Sequence, residues 1–310
     1  MTEFRIITPL ASQWRRPMSK KLPVLQKGKQ WFGFLKIPEG KHGKFAVRHR
    51  HYAIGSRFST ASARTAIFAQ HVPVDVIATE AVVVHELREH DNVWMTDLPI
   101  EQAQIDPMLD PMRGRVLVGG LGLGYAAQVL ARKPAVREIV VIEKSTEVIE
   151  LVARHIKGTG RRKVWTIEAD LHKWLTQNQH EQFDWAFYDI WAPDGERTFF
   201  EHVVPLRQKT GQICDPEHVR CWNEDVMRGQ LLMHAVSRLN IVLNPALGIE
   251  LSLDKCCETQ GGLVHQSFDL TVPFFRALRD GRVPRDIQSA TLALTDFIRD
   301  YGIPGRKVLA

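Results

Sequence analysis

One stretch narrows the possible folds more than any other: residues 115–143 run strand, glycine turn, helix, strand, acid. Residues 116–118, Val-Leu-Val, are a short unbroken apolar run, the pattern of a parallel strand buried on both faces. Gly119, Gly120, Gly122 and Gly124 follow, where the backbone can turn sharply and lie close to a ligand because no Cβ intervenes. Apolar residues then recur at helical spacing from Tyr125 to Arg132 and stop before Pro134, and 138–143 supplies a second strand ending on Glu143. A carboxylate at that position can accept both hydroxyls of a ribose.

The alternation continues. Residues 163–168 read as a third strand, followed by Ala169 and Asp170, and 183–188 as a fourth, with Asp189, Ile190 and Trp191 at its tip. Residues 197–206 read as a helix and 211–214 as a short fifth strand. Strands alternating with helices predict an α/β fold with a Rossmann-like, doubly wound sheet. Ligands of such sheets lie at the carboxyl ends of the strands, where the glycine turn, Glu143, Asp170 and Asp189 all fall.

The glycine spacing separates cofactors. A dinucleotide fingerprint is G-x-G-x-x-G, and here Tyr125 stands where its third glycine belongs, so NAD fits poorly. The Gly120-x-Gly122-x-Gly124 turn resembles that of class I methyltransferases dependent on S-adenosylmethionine (SAM), over roughly residues 109–220. The resemblance implies that Gly120, Leu121, Gly122, Gly124, Glu143, Ala169 and Asp170 hold the cofactor, Glu143 on the ribose and Asp170 on the adenine amino group. It implies an active-site residue at the tip of the fourth strand, where Asp189 is the catalytic candidate. Viewed alone, Asp170 serves equally as the cap of a helix at 171–175, and Asp189 as the cap of the loop after it.

Two departures bear on the cofactor. Most class I methyltransferases carry an acid two residues before the first glycine of the turn, and here that residue is Val118. Spermidine synthases, which use decarboxylated SAM in the same fold, also tend to lack it and open the turn with Gly-Gly, but carry Asp where this chain has Leu123. The preceding region is similar to theirs in layout: 80–84 and 92–96 read as strands joined by a polar turn at 85–91. A segment at 97–104 then enters the domain, with Glu101 either reaching the cofactor or facing water. Their Asp-x-x-Asp element is displaced here, the second acid being Asp194, with Trp191 and Pro193 between. Compared with the Asp-Pro-Pro-aromatic element of nucleic-acid amino methyltransferases, Asp189-Ile190-Trp191 keeps an acceptor and an aromatic. Trp191 either stacks on a flat substrate or packs against the sheet.

No metal-ligand spacing is present. His85 and His90 form H-x4-H, one residue too long for a zinc helix, and read as surface residues of the hairpin turn. Cys214, Cys221, Cys256 and Cys257 form no C-x-x-C pair, which together with the lack of an 18-residue apolar span predicts a soluble, cytoplasmic chain that contacts no membrane. The net charge of +6 hides an asymmetry: residues 1–64 hold 14 Lys or Arg against Glu3 and Glu39, a balance of +12, so the rest carries −6. With aromatics interleaved, that segment suits a nucleic acid backbone, a solvated arm, or a contact between copies in a homo-oligomer. The expected organisation is a basic β-rich module at 1–108, a SAM-binding domain at 109–220 and a mainly helical region at 221–310, with helices at 223–240 and 286–301. The leading expectation is methyl transfer to a small-molecule or macromolecular acceptor. The alternatives are aminopropyl transfer from decarboxylated SAM and a non-catalytic scaffold that binds nucleic acid through its basic arm.

Overall fold

The computed structural model describes residues 31–60, 75–156, 163–191, 196–249, 251–261 and 266–306. Six strands come first: β1 (Gly40–His42), β2 (Phe45–Tyr52), β3 (Arg57–Ser59), β4 (Asp75–Ile77), β5 (Val82–Glu89) and β6 (Asn92–Thr96). Four of them make an antiparallel sheet in the order β1-β2-β5-β6, and β3 pairs with β4. Helix α1 (Pro99–Leu109) leads on to β7 (Gly114–Gly119), α2 (Tyr125–Arg132), β8 (Val136–Glu143), α3 (Thr146–Val152), β9 (Lys163–Glu168) and α4 (Leu171–Gln177). Then come β10 (Trp185–Tyr188), α5 (Val204–Thr210), β11 (Val219–Cys221), α6 (Glu224–Leu243), α7 (Gln266–Arg279) and α8 (Ile287–Asp300).

The second sheet is parallel, in the order β11-β10-β7-β8-β9. Strand side chains alternate between faces, and both faces are covered. Val116, Val118, Ile139, Val141, Trp185 and Phe187 pack with α2 and α3 on one side, while Leu117, Val140, Ile142, Ala186 and Tyr188 pack with α4, α5 and the C-terminal helices on the other. This is the doubly wound, Rossmann-like α/β arrangement. Strand order reverses between β7 and β10, so the ligand crevice of such a sheet lies where the glycine turn meets Asp189.

The antiparallel sheet closes one side of the same core. Leu35, Ile37, Phe45, Val47 and Leu87 share a cluster with β7, β8 and α2. Tyr125 at the start of α2 donates from its hydroxyl to Asp106 on α1 at 2.7 Å, and the Arg132 guanidinium lies 4.0 Å from the centre of the Phe34 ring.

Three expectations need correction. The hairpin turn is tighter than 85–91, because β5 runs on to Glu89 and only His90 and Asp91 turn, His90 at φ 54°. His85 is therefore buried on a central strand, its backbone N–H and Nδ1 both 2.7 Å from Asp97 carboxylate oxygens, rather than exposed. The fifth strand is β11, not 211–214: those residues form the turn after α5, where Ile213 and Cys214 are apolar because they are buried, without ladder partners. The mainly helical region also contains α7, between the two helices expected there.

A buried ion cluster fastens the C-terminal helices. Glu224 accepts from Arg207 at 2.7 Å and from Arg228 at 2.6 Å, and Arg228 reaches on to the carbonyls of Ile298 and Tyr301. Cys214, Cys221, Cys256 and Cys257 are free and buried. Among the described residues no helix is long and apolar enough to cross a membrane. Of the basic segment 1–64, residues 1–30 and 61–64 lie outside the described residues, and the described part forms β1 to β3.

Candidate active site

The glycine turn is built by its φ angles. Gly120, Gly122 and Gly124 stand at +89°, +50° and +73°, and alternating positive φ is glycine's territory. Their missing Cβ atoms make room for neighbouring protein rather than for open space. A Cβ on Gly120 would fall on the Asp189 carbonyl oxygen, one on Gly122 would fall on the Met95 sulfur, and one on Gly124 would lie 2.8 Å from the Ile156 side chain. Met95, from the end of β6, thus sits on the turn, and its sulfur accepts from Leu123 N–H at 3.2 Å. Nothing in the sequence marks Met95 for this contact.

Glu143 ends β8 and is tied to the turn from the other side. One carboxylate oxygen accepts from Leu121 N–H at 2.8 Å and the other from Ser145 N–H at 2.8 Å, while Ser145 itself caps α3. A carboxylate offers about four lone-pair sites, so roughly two stay open on a side chain already held in place. They suit a pair of adjacent hydroxyls. At the end of β9, Ala169 donates its N–H to the Glu143 carbonyl at 2.9 Å, and Asp170 caps α4 by accepting from Lys173 N–H at 3.0 Å. The capping role of Asp170 is thus realised, and its second oxygen takes no part in it. Val118, where an acid is usual, is buried in the core.

Asp189 follows β10 with its N–H bonded to the Gly119 carbonyl at 3.0 Å. Its side chain caps no described N–H and has no hydrogen-bond partner among the described residues. It is enclosed by protein yet partly accessible, as a group on the floor of a crevice is. Burial, with the neighbouring charge of Glu101 adding to it, pushes its carboxyl up to about 7. Glu101 does not face open water. It lies in the first turn of α1, and its carboxylate accepts from Thr96 Oγ1 at 2.6 Å and from Thr96 N–H at 3.1 Å. Burial outweighs those bonds and pushes it, too, up to about 7, with Asp97 contributing. The signal for Glu101 was present in the sequence: Pro99 suits the first helical position and puts Glu101 in the first turn.

Trp191 is buried, its ring nearly parallel to that of His202 with centroids 6.2 Å apart, so it packs against the sheet instead of presenting a face to a substrate. His202 belongs to a π-helical turn, Phe199–Val203, and its Nδ1 lies 3.3 Å from His172 Nε2. Pro193 and Asp194, and with them the displaced acid pair, lie outside the described residues. Among the described residues no trio of His, Cys, Asp or Glu side chains is placed to hold a metal.

No family profile matches this chain, and no curated protein sequence matches it. Its shape is similar to that of precorrin 8W decarboxylase from Methanobacterium thermoautotrophicum, at 18% identity and TM-score 0.30, over 39% of this chain and 61% of that one. It is similar to human methyltransferase-like protein 13 in complex with SAH, at 18% identity and TM-score 0.30, over 45% of this chain and 66% of that one. A further similar structure is NSun6 from Pyrococcus horikoshii with SFG, at 10% identity and TM-score 0.31, over 60% of this chain and 58% of that one. In each case the match spans less than two thirds of the other chain.

Proposed function

We propose that this chain is a SAM-dependent methyltransferase. The observation that carries the reading is Glu143: at the end of the second parallel strand it is bonded to Leu121 in the glycine turn and to Ser145, and keeps acceptor capacity for a ribose. Gly120, Gly122, Leu121 and Ala169 would line the nucleoside, with the free oxygen of Asp170 available to the adenine amino group. The residues fit that group and fit a dinucleotide poorly, since the third glycine of a dinucleotide site is replaced by Tyr125, buried and bonded to Asp106.

Bound SAM supplies a methyl group on a positive sulfur, whose departure as a thioether needs no proton. The chain's own task is then to position the acceptor, exclude water and take the acceptor's proton. Asp189 would do the last of these: it follows β10 beside the glycine turn, and burial makes its carboxyl more basic than an ordinary aspartate. Met95 and the first turn of α1 wall the crevice on the side of the antiparallel sheet.

A second reading, aminopropyl transfer from decarboxylated SAM, is favoured by one observation: buried Val118 leaves no acid to anchor the amino-acid end of the cofactor from that position. Calorimetric titration with SAM, decarboxylated SAM and NAD tests all of these, with Glu143→Ala as control. Methyl transfer predicts SAM binding that weakens at least tenfold in Glu143→Ala, about 1.4 kcal/mol. Preference for decarboxylated SAM would move the assignment to aminopropyl transfer, and binding of NAD alone would end both.

A further inference from the structure

Two carboxylates approach this strand end from separate parts of the chain, Asp189 from the tip of β10 and Glu101 from the first turn of α1. Both stand beside the glycine turn. Asp189 is held there through Gly119 and Gly120, and Glu101 through Thr96, whose neighbour Met95 touches Gly122 and Leu123. Neither forms an ion pair with any described Lys, Arg or His. Glu101 spends part of its acceptor capacity on Thr96 and keeps the rest, while Asp189 spends none within the described residues. Two neighbouring acids without a cation resist ionising together, so near neutral pH they share protons, and an arriving cation favours the full ionisation of both.

We propose that Glu101 and Asp189 together seat the methyl acceptor, and that the acceptor is a protonated aliphatic amine. This rests on the crevice being the methyl-transfer site. Glu101 is the positioning residue, fixed by Thr96, and Asp189 takes the proton. An ammonium group brings one positive charge and three N–H donors, which the free lone pairs of the two carboxylates can accept. An anionic acceptor would be repelled, and a neutral nucleobase amine would bring no charge to offset the ionisation of the second acid. Before it can attack, the ammonium must lose a proton. The N–H bond breaks, an O–H bond forms on Asp189, and the electron pair stays on nitrogen as its lone pair. A carboxylate held away from water and beside a second acid is a stronger base than a free one, which brings it closer to an aliphatic amine. The charged groups that face the pair are each other and Asp97, which is itself bonded to His85.

The test is calorimetric titration of the full chain, saturated with S-adenosylhomocysteine, using hexylamine, hexan-1-ol and Nα-acetyl-lysine amide. Both amines are expected to bind at least tenfold more tightly than the alcohol, and whichever of the two is tighter tells a free amine from a lysine side chain as the source. Repeating the titration in buffers of different ionisation enthalpy should show proton release on amine binding. Glu101→Gln keeps an acceptor for Thr96, so it should melt normally and bind S-adenosylhomocysteine within about twofold, yet lose at least tenfold for the amines. Burial still raises Asp189 but the added charge of Glu101 is then gone, so its proton release should move to lower pH, a change that a merely structural role would not produce. Asp189→Asn should lose the share of the proton release that Asp189 supplies and keep only that of Glu101, whose carboxyl burial also raises. Equal affinity for amine and alcohol, or amine binding unchanged in a folded Glu101→Gln, would overturn the proposal. If wild-type chain fails to bind S-adenosylhomocysteine, the methyl-transfer reading falls by itself, and titrating the amines into the unliganded chain still decides the acid pair.

Discussion

Gly120 and Gly122 look alike in the sequence and are constrained differently. At Gly120 the obstacle to a side chain is the backbone carbonyl of Asp189, which cannot move without disturbing the end of β10, and φ of +89° lies beyond the left-handed helical region. At Gly122 the obstacle is the tip of a flexible methionine, and φ of +50° is one that an L residue adopts at about 1–2 kcal/mol. Gly120→Ala should therefore cost on the order of 3 kcal/mol or more, and Gly122→Ala about 1–2 kcal/mol, read from urea midpoints at unchanged slope. Gly120→Ala should also weaken whatever Asp189 does, since it displaces that residue's carbonyl. A loss at Gly122 as large as that at Gly120 would mean that Met95 is as rigid as backbone, which would make it a fixed wall of the crevice.

Among elements, α6 carries the most concentrated charge in the core. Burial raises the Glu224 carboxyl, but Arg207 and Arg228 outweigh it, so its pKa ends below the ordinary glutamate value. A lowered folded-state pKa means that the contribution is in place above the unfolded value and is lost as pH falls through the folded one. Glu224→Gln leaves two guanidinium groups buried without their anion and should cost about 3–5 kcal/mol at neutral pH in chemical denaturation. Much less loss would show that the carbonyls of Val219, Ile298 and Tyr301 already satisfy the arginines. Elements were legible in the sequence where one cause governs the pattern. The apolar run of β7, the glycines that stop it, Pro134 beyond α2 and the acid ending β8 all follow from local chemistry. So does Asp286, which caps α8 by accepting from Ser289 N–H. Burial without pairing misled at 211–214, where Ile213 is apolar but not extended, while three-residue β11 has no run to display. α7 was hidden because Pro273 falls inside it and Gly and Pro punctuate the residues on either side, although Leu270, Phe274, Ala277 and Leu278 keep helical spacing. The Glu101 and Asp189 pair lies 88 positions apart in the sequence, a proximity that only the chain's topology creates.

At the scale of the molecule, the antiparallel sheet is part of the machinery's foundation rather than an appendage. Leu35, Ile37, Phe45, Val47, Leu87 and Ile105 bury themselves in the same cluster as Val116, Val118, Ile139 and Val141, so the layer of α2 and α3 over one face of the parallel sheet is backed by residues that precede it. Gln102 repeats the dependence in polar terms, donating to the carbonyls of Trp31 and Asp97 and accepting from Tyr125. About two hundred residues are ordinarily enough for an independent domain, so a fragment of residues 109–310 is a demanding test. It keeps the glycine turn, Glu143, Asp170 and Asp189, and loses Met95, Glu101 and the apolar cover. We expect it to melt without a cooperative transition and to elute as aggregate on size exclusion, because the apolar surface of α2 and α3 that the preceding residues cover would be left exposed. Supplying residues 1–108 in trans should restore part of the cooperative melt, since the missing contacts are packing contacts with no covalent requirement. A fragment that melts cooperatively within a few degrees of the full chain, and that matches it in the proposed affinity for SAM, would show that the glycine turn holds its shape without Met95. The role of the N-terminal sheet would then narrow to carrying Glu101 to the crevice.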